Sequence, residues 1–454
     1  MSERHELPAG TSSALRERFD RLSAGDQALV LARLSERNQD REGSFHIPRR
    51  SEYRAPLTYA QQGIWFRQQL APESPAWNLS RTWAVSGPLD LTVLERALSE
   101  IVRRHESLRT RYVVVSGQPV QEVMPAARVA IESLDAHERA SGVGQAASDF
   151  RGQLAARAFD LASPVMIRAG VAIVGPEQYE LTLTRHHICS DQWSSAIFRR
   201  ELSTVYGDFA AGREPSLPAL RLQFNDYAWW ESDAARSEST AAALAEAVEA
   251  LQGIPDESAL VASHDRHRPA SGPGGRVTGA VPAPVVRGLR ALALSHEATL
   301  FMASMAIFNA LVYRLTNQSD LVVVTPTAGR VHPELESLIG QFANVLPLRT
   351  DLSGDPSFLE LLARTRRGTT RLLAHQHVPI QRLQAALRPG WTGPRMAMSS
   401  LLFALQNVPH DDLLLTGADL RAIESGPHEV FEDLSLFAWE DADGALVLRA
   451  DYRA

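Results

Sequence analysis

Apolar residues along this chain follow two periods. In "LTVLERALSEIVRRHESL" (residues 91–108), Leu94, Leu98, Ile101 and Val102 recur every three or four residues, which predicts an amphipathic helix. "RTRYVVV" (109–115) then switches to strand character. "PVMIRAGVAIV" (164–174) and "QYELTLTRHHI" (178–188) read as two strands joined by the turn "GPE". "QWSSAIFRRELSTVYGDFAAG" (192–212) returns to helical spacing, with Ile197, Phe198, Leu202 and Val205 apolar. Further on, residues 282–316 suggest two helices, and "DLVVVTPTAG" (320–329) is a continuous apolar strand. Residues 356–376 read as a helix, while "SSLLFALQN" (399–407) and "ALVLRADYR" (445–453) read as strands.

Punctuation between these elements sets the expected domains. Residues 1–50 look peripheral: "LSAGDQALVLARLSER" (22–37) fits a short amphipathic helix, and a polar linker follows. A first α/β lobe is expected over 51–250 and a second over 281–454. Residues 251–280 are the interlobe linker, because 257–279 is rich in Pro, Gly, Ser and Arg. The chain's 454 residues are too many for one ordinary core, which agrees with two lobes.

Composition narrows the chemistry. The formal charge of −7 argues against a general nucleic-acid or anionic-membrane binder. No apolar run reaches a membrane span, and no secretory signal opens the chain, so a cytoplasmic location is expected. The single cysteine, Cys189, excludes internal disulfides and cysteine metal clusters. The chain has no lysine, so all 46 basic residues are arginine. That removes a Walker A phosphate loop and lysine Schiff-base chemistry.

The stretch "LTLTRHHICSDQWS" (181–194) concentrates chemistry-bearing side chains. Strand alternation puts Tyr179, Leu181 and Leu183 on a buried face, and Glu180, Thr182 and Thr184 on a polar one. Extended to the strand end, it places His187 toward an enclosed cavity and His186 opposite. Asp191 or Ser190 is placed to cap the helix that begins near Gln192. Taken alone, the stretch reads first as a satisfied core histidine beside a helix cap, and only second as a catalytic base. A shared metal is disfavoured, since adjacent strand residues point opposite ways. Cys189 beside His187 suggests a thiol nucleophile only weakly, because catalytic pairs are seldom sequence neighbours.

Seven segments, in order, resemble the motif series of the condensation domains of nonribosomal peptide synthetases. They are "LTYAQQGIWFRQQL" (57–70), "RRHESLRTRY" (103–112), "RHHICSDQWS" (185–194), "FNDYAWW" (224–230), "IGQFANVLPLRTDL" (339–352), "HQHVPI" (375–380) and "PRMAMSSLLFALQN" (394–407). "TPTAGRVHPELESL" (325–338) precedes the fifth. The third is the HHxxxDG signature of the wider chloramphenicol-acetyltransferase-like superfamily. Each alone is a weak signal; the ordered series is specific.

The resemblance implies an α/β fold of two chloramphenicol-acetyltransferase-like lobes in a V-shaped pseudodimer, with a central active-site tunnel. Two phosphopantetheine arms on peptidyl carrier proteins would enter it from opposite faces, one with an acyl thioester donor, the other with the acceptor. No permanently bound cofactor and no metal is expected. The resemblance makes His187 the catalytic residue, with His186 in support. It makes Asp191 a structural acid paired with an arginine, for which Arg104 is the preferred candidate and Arg109 the second. Trp193, Asn344 and Asn407 fall in matched motifs and would shape the tunnel. So would Gln192, which stands where the signature has glycine. If that position required a positive φ, Gln192 would cost on the order of 1 kcal/mol. If it required only space, Gln192 would narrow or polarise the tunnel.

The expected activity is therefore transfer of a carrier-bound acyl group to an amine or hydroxyl. No adenylation-type or carrier-type segment is recognisable, so a free-standing enzyme acting on carriers in trans, or on one carrier and a small nucleophile, is expected. Two readings compete with it. One is a carrier-docking or recruitment module with a degenerate signature, motivated by Gln192. The other is epimerisation, against which "YAQQGIW" and "RRHESLRT" argue.

Overall fold

The computed structural model describes residues 47–125, 128–139, 141–254, 274–389, 400–406, 412–423 and 432–453. The chain forms two compact units, 1–48 and 49–454, and the description below concerns the second. The helix expected over 22–37, most of the linker and Asn407 lie outside the described residues.

In chain order the first half contains β1 (Arg54–Pro56), α1 (Tyr59–Leu70), β2 (Asn78–Ser86), α2 (Leu91–Arg104), β3 (Thr110–Val115), β4 (Gln118–Val123), β5 (Ile131–Asp135), α3 (Val143–Ala156), β6 (Ile167–Gly175), β7 (Gln178–His186), α4 (Gln192–Ala210), α5 (Phe224–Ala234) and α6 (Glu238–Leu251). The second half contains β8 (Gly274–Val281), α7 (Ala283–Ser295), α8 (Leu300–Thr316), β9 (Asp320–Thr327), β10 (Asn344–Asp351), α9 (Phe358–Ala374), α10 (Ile380–Leu387), β11 (Leu401–Gln406), β12 (Asp419–Ile423), β13 (Leu434–Glu440) and β14 (Leu446–Arg453).

Local sequence explains several boundaries. Asp90 caps α2 by accepting from the backbone of Thr92 and Val93, and Leu94, Leu98, Ile101 and Val102 all point into the core. Thr58 and Gln61 form a reciprocal capping box on α1. β6 and β7 form the expected antiparallel hairpin, turning at Glu177 with φ +50°. Among the described residues no single helix is long and apolar enough to cross a membrane.

The strands build a five-stranded sheet, β12-β2-β7-β6-β5, a six-stranded sheet, β10-β9-β11-β13-β14-β8, and a small sheet, β1-β4-β3. Each large sheet has its own apolar core. The division at residue 281 is nevertheless not clean. β12 pairs antiparallel with β2, with Asp419 opposite Ser86 and Ile423 opposite Thr82. Leu413, Leu415 and Ile339 belong to the first core. Two segments of the second half thus pack into the first.

Strand alternation fails along β7, and the reason is local. From Leu181 to His186 every residue is buried, on both faces. The threonines of the expected polar face are buried with their hydroxyls paired across strands, Thr182 with Thr82 at 2.9 Å and Thr184 with Ser80 at 3.0 Å, so their burial leaves no hydroxyl unsatisfied.

Candidate active site

β7 ends at His186, and residues His187–Cys189 form one turn of 3₁₀ helix before α4. His187 therefore lies outside the strand, and strand alternation does not aim it; the turn does. The expected burial is reversed. His186 is 1% exposed, whereas His187 is only half-buried.

The two imidazoles are held differently. His186 Nδ1 accepts from the Ile188 backbone N–H at 3.1 Å. Its Nε2–H therefore faces Gln68 Oε1, 3.5 Å away. Burial, and then the neighbouring His187, push the His186 pKa down to about 3, so it stays neutral and supports the turn. His187 Nδ1 lies 2.8 Å from the Ser190 carbonyl oxygen. A carbonyl only accepts, so Nδ1 carries the proton and the neutral ring leaves Nε2 as a free base. The His187 N–H donates to the Trp77 carbonyl at 2.8 Å, and the two rings meet edge-on at 6.0 Å.

Asp191 caps α4, accepting from Ser194 N–H at 2.7 Å. Its partner is Arg330, not an arginine of the second motif. Arg330 donates from Nη1 to Oδ2 at 2.9 Å and from Nη2 to Oδ1 at 3.2 Å. The Phe342 N–H adds a fourth bond at 3.1 Å. Burial alone would raise the Asp191 carboxyl; the Arg330 charge and these bonds outweigh it and hold it below the usual range.

Arg104 instead pairs with Glu201 at 3.0 Å, and Glu201 also takes a 2.7 Å bond from the buried His105. Arg109 donates to the Met124 carbonyl and lies 3.7 Å from Glu106. The physical reason is spacing. Arg104 meets α4 ten residues beyond Asp191, which is roughly 15 Å along the helix.

Arg330 is delivered by the segment between β9 and β10. Gly329 has φ +64°, and an added Cβ would sit 1.8 Å from the Phe342 carbonyl oxygen, so this turn requires glycine. The Arg330 guanidinium lies 4.4 Å from the centre of the Phe342 ring and donates to Ser194 Oγ at 2.9 Å. The same segment is tied down by Ser107 Oγ to the Ile339 carbonyl at 2.7 Å and by Gly340 N–H to Ser194 Oγ at 3.0 Å. Trp193 belongs to this clamp, donating from Nε1 to the Glu336 carbonyl at 3.0 Å.

Gln192 is the first residue of α4, lies in the helical region without a positive φ, and is exposed. The strained-backbone explanation for its replacement of glycine is excluded. Asn344 spends its amide on the main chain, donating to the carbonyls of Gln376 and Val378 and accepting from Val345 and Ile380 N–H. It ties β10 to the start of α10. Cys189 is buried against the His186 and Met166 carbonyls, and burial pushes its thiol up to about 12, which removes it as a nucleophile. Among the described residues no cluster of His, Cys, Asp and Glu could hold a metal.

The family model of the condensation domain matches residues 51–454. The chain belongs to the condensation-domain family. It is 35% identical over 389 residues to malpinin synthetase of Mortierella alpina, covering 86% of this chain and 5% of that protein. It is 34% identical over 396 residues to the dimodular nonribosomal peptide synthase of Bacillus subtilis, covering 86% of this chain and 16% of that one. The chain thus spans a small fraction of these relatives. Among solved structures it is similar to the X-domain from teicoplanin biosynthesis, alone at TM-score 0.75 and in complex with OxyB at 0.77, with 26% identity. The superpositions cover 90% of this chain and 91% and 89% of those chains. The fold is the chloramphenicol-acetyltransferase-like fold of condensation domains. Arg330 was not among the expected site residues, although it stands inside the segment preceding the fifth motif.

Proposed function

We propose that this chain is an acyltransferase that joins an acyl group, carried as a phosphopantetheine thioester on a carrier protein, to an amine or hydroxyl. The observation that carries this reading is the His187 tautomer, with Nδ1–H committed to the Ser190 carbonyl and Nε2 left as a base. The nucleophile attacks the thioester carbonyl, and its proton passes to His187 Nε2 or is oriented by it. The tetrahedral oxyanion then collapses, the carbon–sulfur bond breaks, and the phosphopantetheine thiol leaves with a proton. An α-amine titrates near 8 and is already partly neutral, so for amine acceptors positioning contributes more than proton removal. Asp191 and Arg330 stay outside the chemistry and hold the turn that carries His187.

The test loads donors on a carrier protein, adds amine and alcohol acceptors, and follows product by mass spectrometry. Wild type is expected to form amide or ester, and His187→Ala to lose at least about 100-fold in rate. Equal activity of the variant refutes the mechanism.

A second reading has support of its own. Gln192 replaces the signature glycine, and the chain is similar to an X-domain solved in complex with OxyB. A recruitment module would bind carriers or a partner enzyme and form no product with any donor and acceptor.

A further inference from the structure

The Asp191–Arg330 clamp holds the backbone that follows His187. Among the described residues its bonds run to Ser194, Phe342 and Leu338, and not to the imidazole. The ring's own bond runs from Nδ1–H to the Ser190 carbonyl, inside the same turn. One such bond sets the tautomer but resists rotation about Cβ–Cγ only weakly, because that torsion is broad for an imidazole. A rotated ring takes Nδ1–H off the carbonyl and carries Nε2 away with it.

Trp77 stands where it opposes that rotation. β2 and β7 pair antiparallel with Asn78 opposite His186, so Trp77, one residue before β2, falls opposite His187. The His187 N–H donates to the Trp77 carbonyl at 2.8 Å. The two rings meet edge-on, 6.0 Å between centres and 66° between planes. The loop that delivers Trp77 is tied to α1, where Gln68 Nε2 donates to the carbonyls of Pro72 at 2.8 Å and Ser74 at 3.2 Å. Asn78 N–H closes the loop on the Pro75 carbonyl at 2.8 Å. The residue before Gln68 backs the indole itself: the Arg67 guanidinium lies 6.0 Å from the centre of the Trp77 ring. Burial pushes the Arg67 pKa down, and attraction to the Glu432 carboxylate, on the segment entering β13, opposes that shift. Ser435 Oγ fixes Glu432 at 3.0 Å. α1 holds the turn as well, with Gln61 Nε2 donating to the Ile188 carbonyl at 3.1 Å.

We propose that Trp77, backed by Arg67, is a positioning residue for acyl transfer: its indole keeps the His187 imidazole on the Ser190 carbonyl and so keeps Nε2 aimed at the nucleophile. Trp77 acts through His187. The proposal rests on the acyl-transfer reading, but the state of the ring is measurable without turnover.

The experiment labels the full chain with 15N-histidine and reads the His187 tautomer by NMR at about pH 8, where imidazoles are mostly neutral. His187→Ala identifies the signal. Wild type is expected to show the Nδ1–H tautomer alone. Trp77→Leu keeps apolar bulk and removes the aromatic ring. It is expected to share the proton between both nitrogens, and in the carrier-loaded assay to lose about 3- to 10-fold in kcat at unchanged acceptor KM. Trp77→Phe returns an aromatic ring and is expected to keep the single tautomer, with kcat within about 2-fold of wild type. Arg67→Met is expected to lose about 2- to 3-fold, and to add nothing to Trp77→Leu. A single Nδ1–H tautomer in Trp77→Leu overturns the proposal. So does an equal loss of kcat in Trp77→Phe and Trp77→Leu, or a loss confined to KM. Should Trp77→Leu fail to fold, Arg67→Met decides by the same two readouts, and an unchanged tautomer with unchanged kcat overturns the proposal. Absence of product from wild type, with the tautomer responding to Trp77 as expected, counts against the acyltransferase reading alone.

Discussion

Arg330→Met is the sharpest test of how the His187 turn is held. The substitution keeps much of the side-chain volume over Phe342 and removes every hydrogen bond the guanidinium makes. Those include two to Asp191 at 2.9 and 3.2 Å, one to Ser194 Oγ at 2.9 Å and one to the Leu338 carbonyl at 3.2 Å. Asp191 keeps only the N–H groups of Ser194 and Phe342. Both partners are almost fully buried, with side-chain exposures of 2% and 3%, so solvent does not screen the loss. Breaking a buried pair by removing one partner costs about 3–5 kcal/mol. The pH dependence has a definite sign. In wild type the Asp191 carboxyl sits below its usual value, so its contribution is present above the unfolded-state pKa and lost as pH falls through the folded one. Without Arg330, burial dominates and raises that pKa, and the variant recovers stability as acid protonates Asp191. The difference from wild type is therefore expected to be largest near pH 7 and to shrink toward pH 5. Urea unfolding followed by tryptophan fluorescence at both pH values measures it. Asp191→Asn added to Arg330→Met should cost little more, whereas Asp191→Asn and Arg104→Met should be additive. A loss below about 1 kcal/mol for Arg330→Met, or strong coupling of Asp191 to Arg104, refutes the assignment.

Two further outcomes follow from the site. Gln192→Gly places glycine at an exposed first-turn position with no strain to relieve, so a loss of up to about 1 kcal/mol is expected in denaturant; a gain in stability contradicts the helical φ argument. Glu231 accepts from Tyr59 N–H and Tyr227 Oη–H, and burial pushes its carboxyl up to about 7. Its raised pKa makes stability fall as pH rises from about 4.5 to 7, so Glu231→Gln should flatten that slope, and an unchanged pH profile counts against it.

The elements were legible where the signal is local. The apolar spacing of α2 and α4, the GPE turn and the HHxxxD string are each contained within about twenty residues, where backbone geometry and burial period act directly. Ordered motifs carried the resemblance further, to the family and to the role expected of His187. Strand alternation does not orient His187, since the strand stops one residue earlier and a 3₁₀ turn carries the ring.

Residue order was enough to define most helices and strands, the family, and the chemistry available at residues 185–194. Which charge meets which was settled only by folding. Asp191 and Arg330 are 139 residues apart, and all 46 cations of the chain are arginine, so residue type cannot choose among them. Folding likewise made β12 complete the first sheet and consumed the Asn344 amide on backbone. Local propensity acts through neighbours in the chain, whereas charge pairing and strand pairing act through space, and the free energy of burying Asp191 is fixed once its surroundings have assembled.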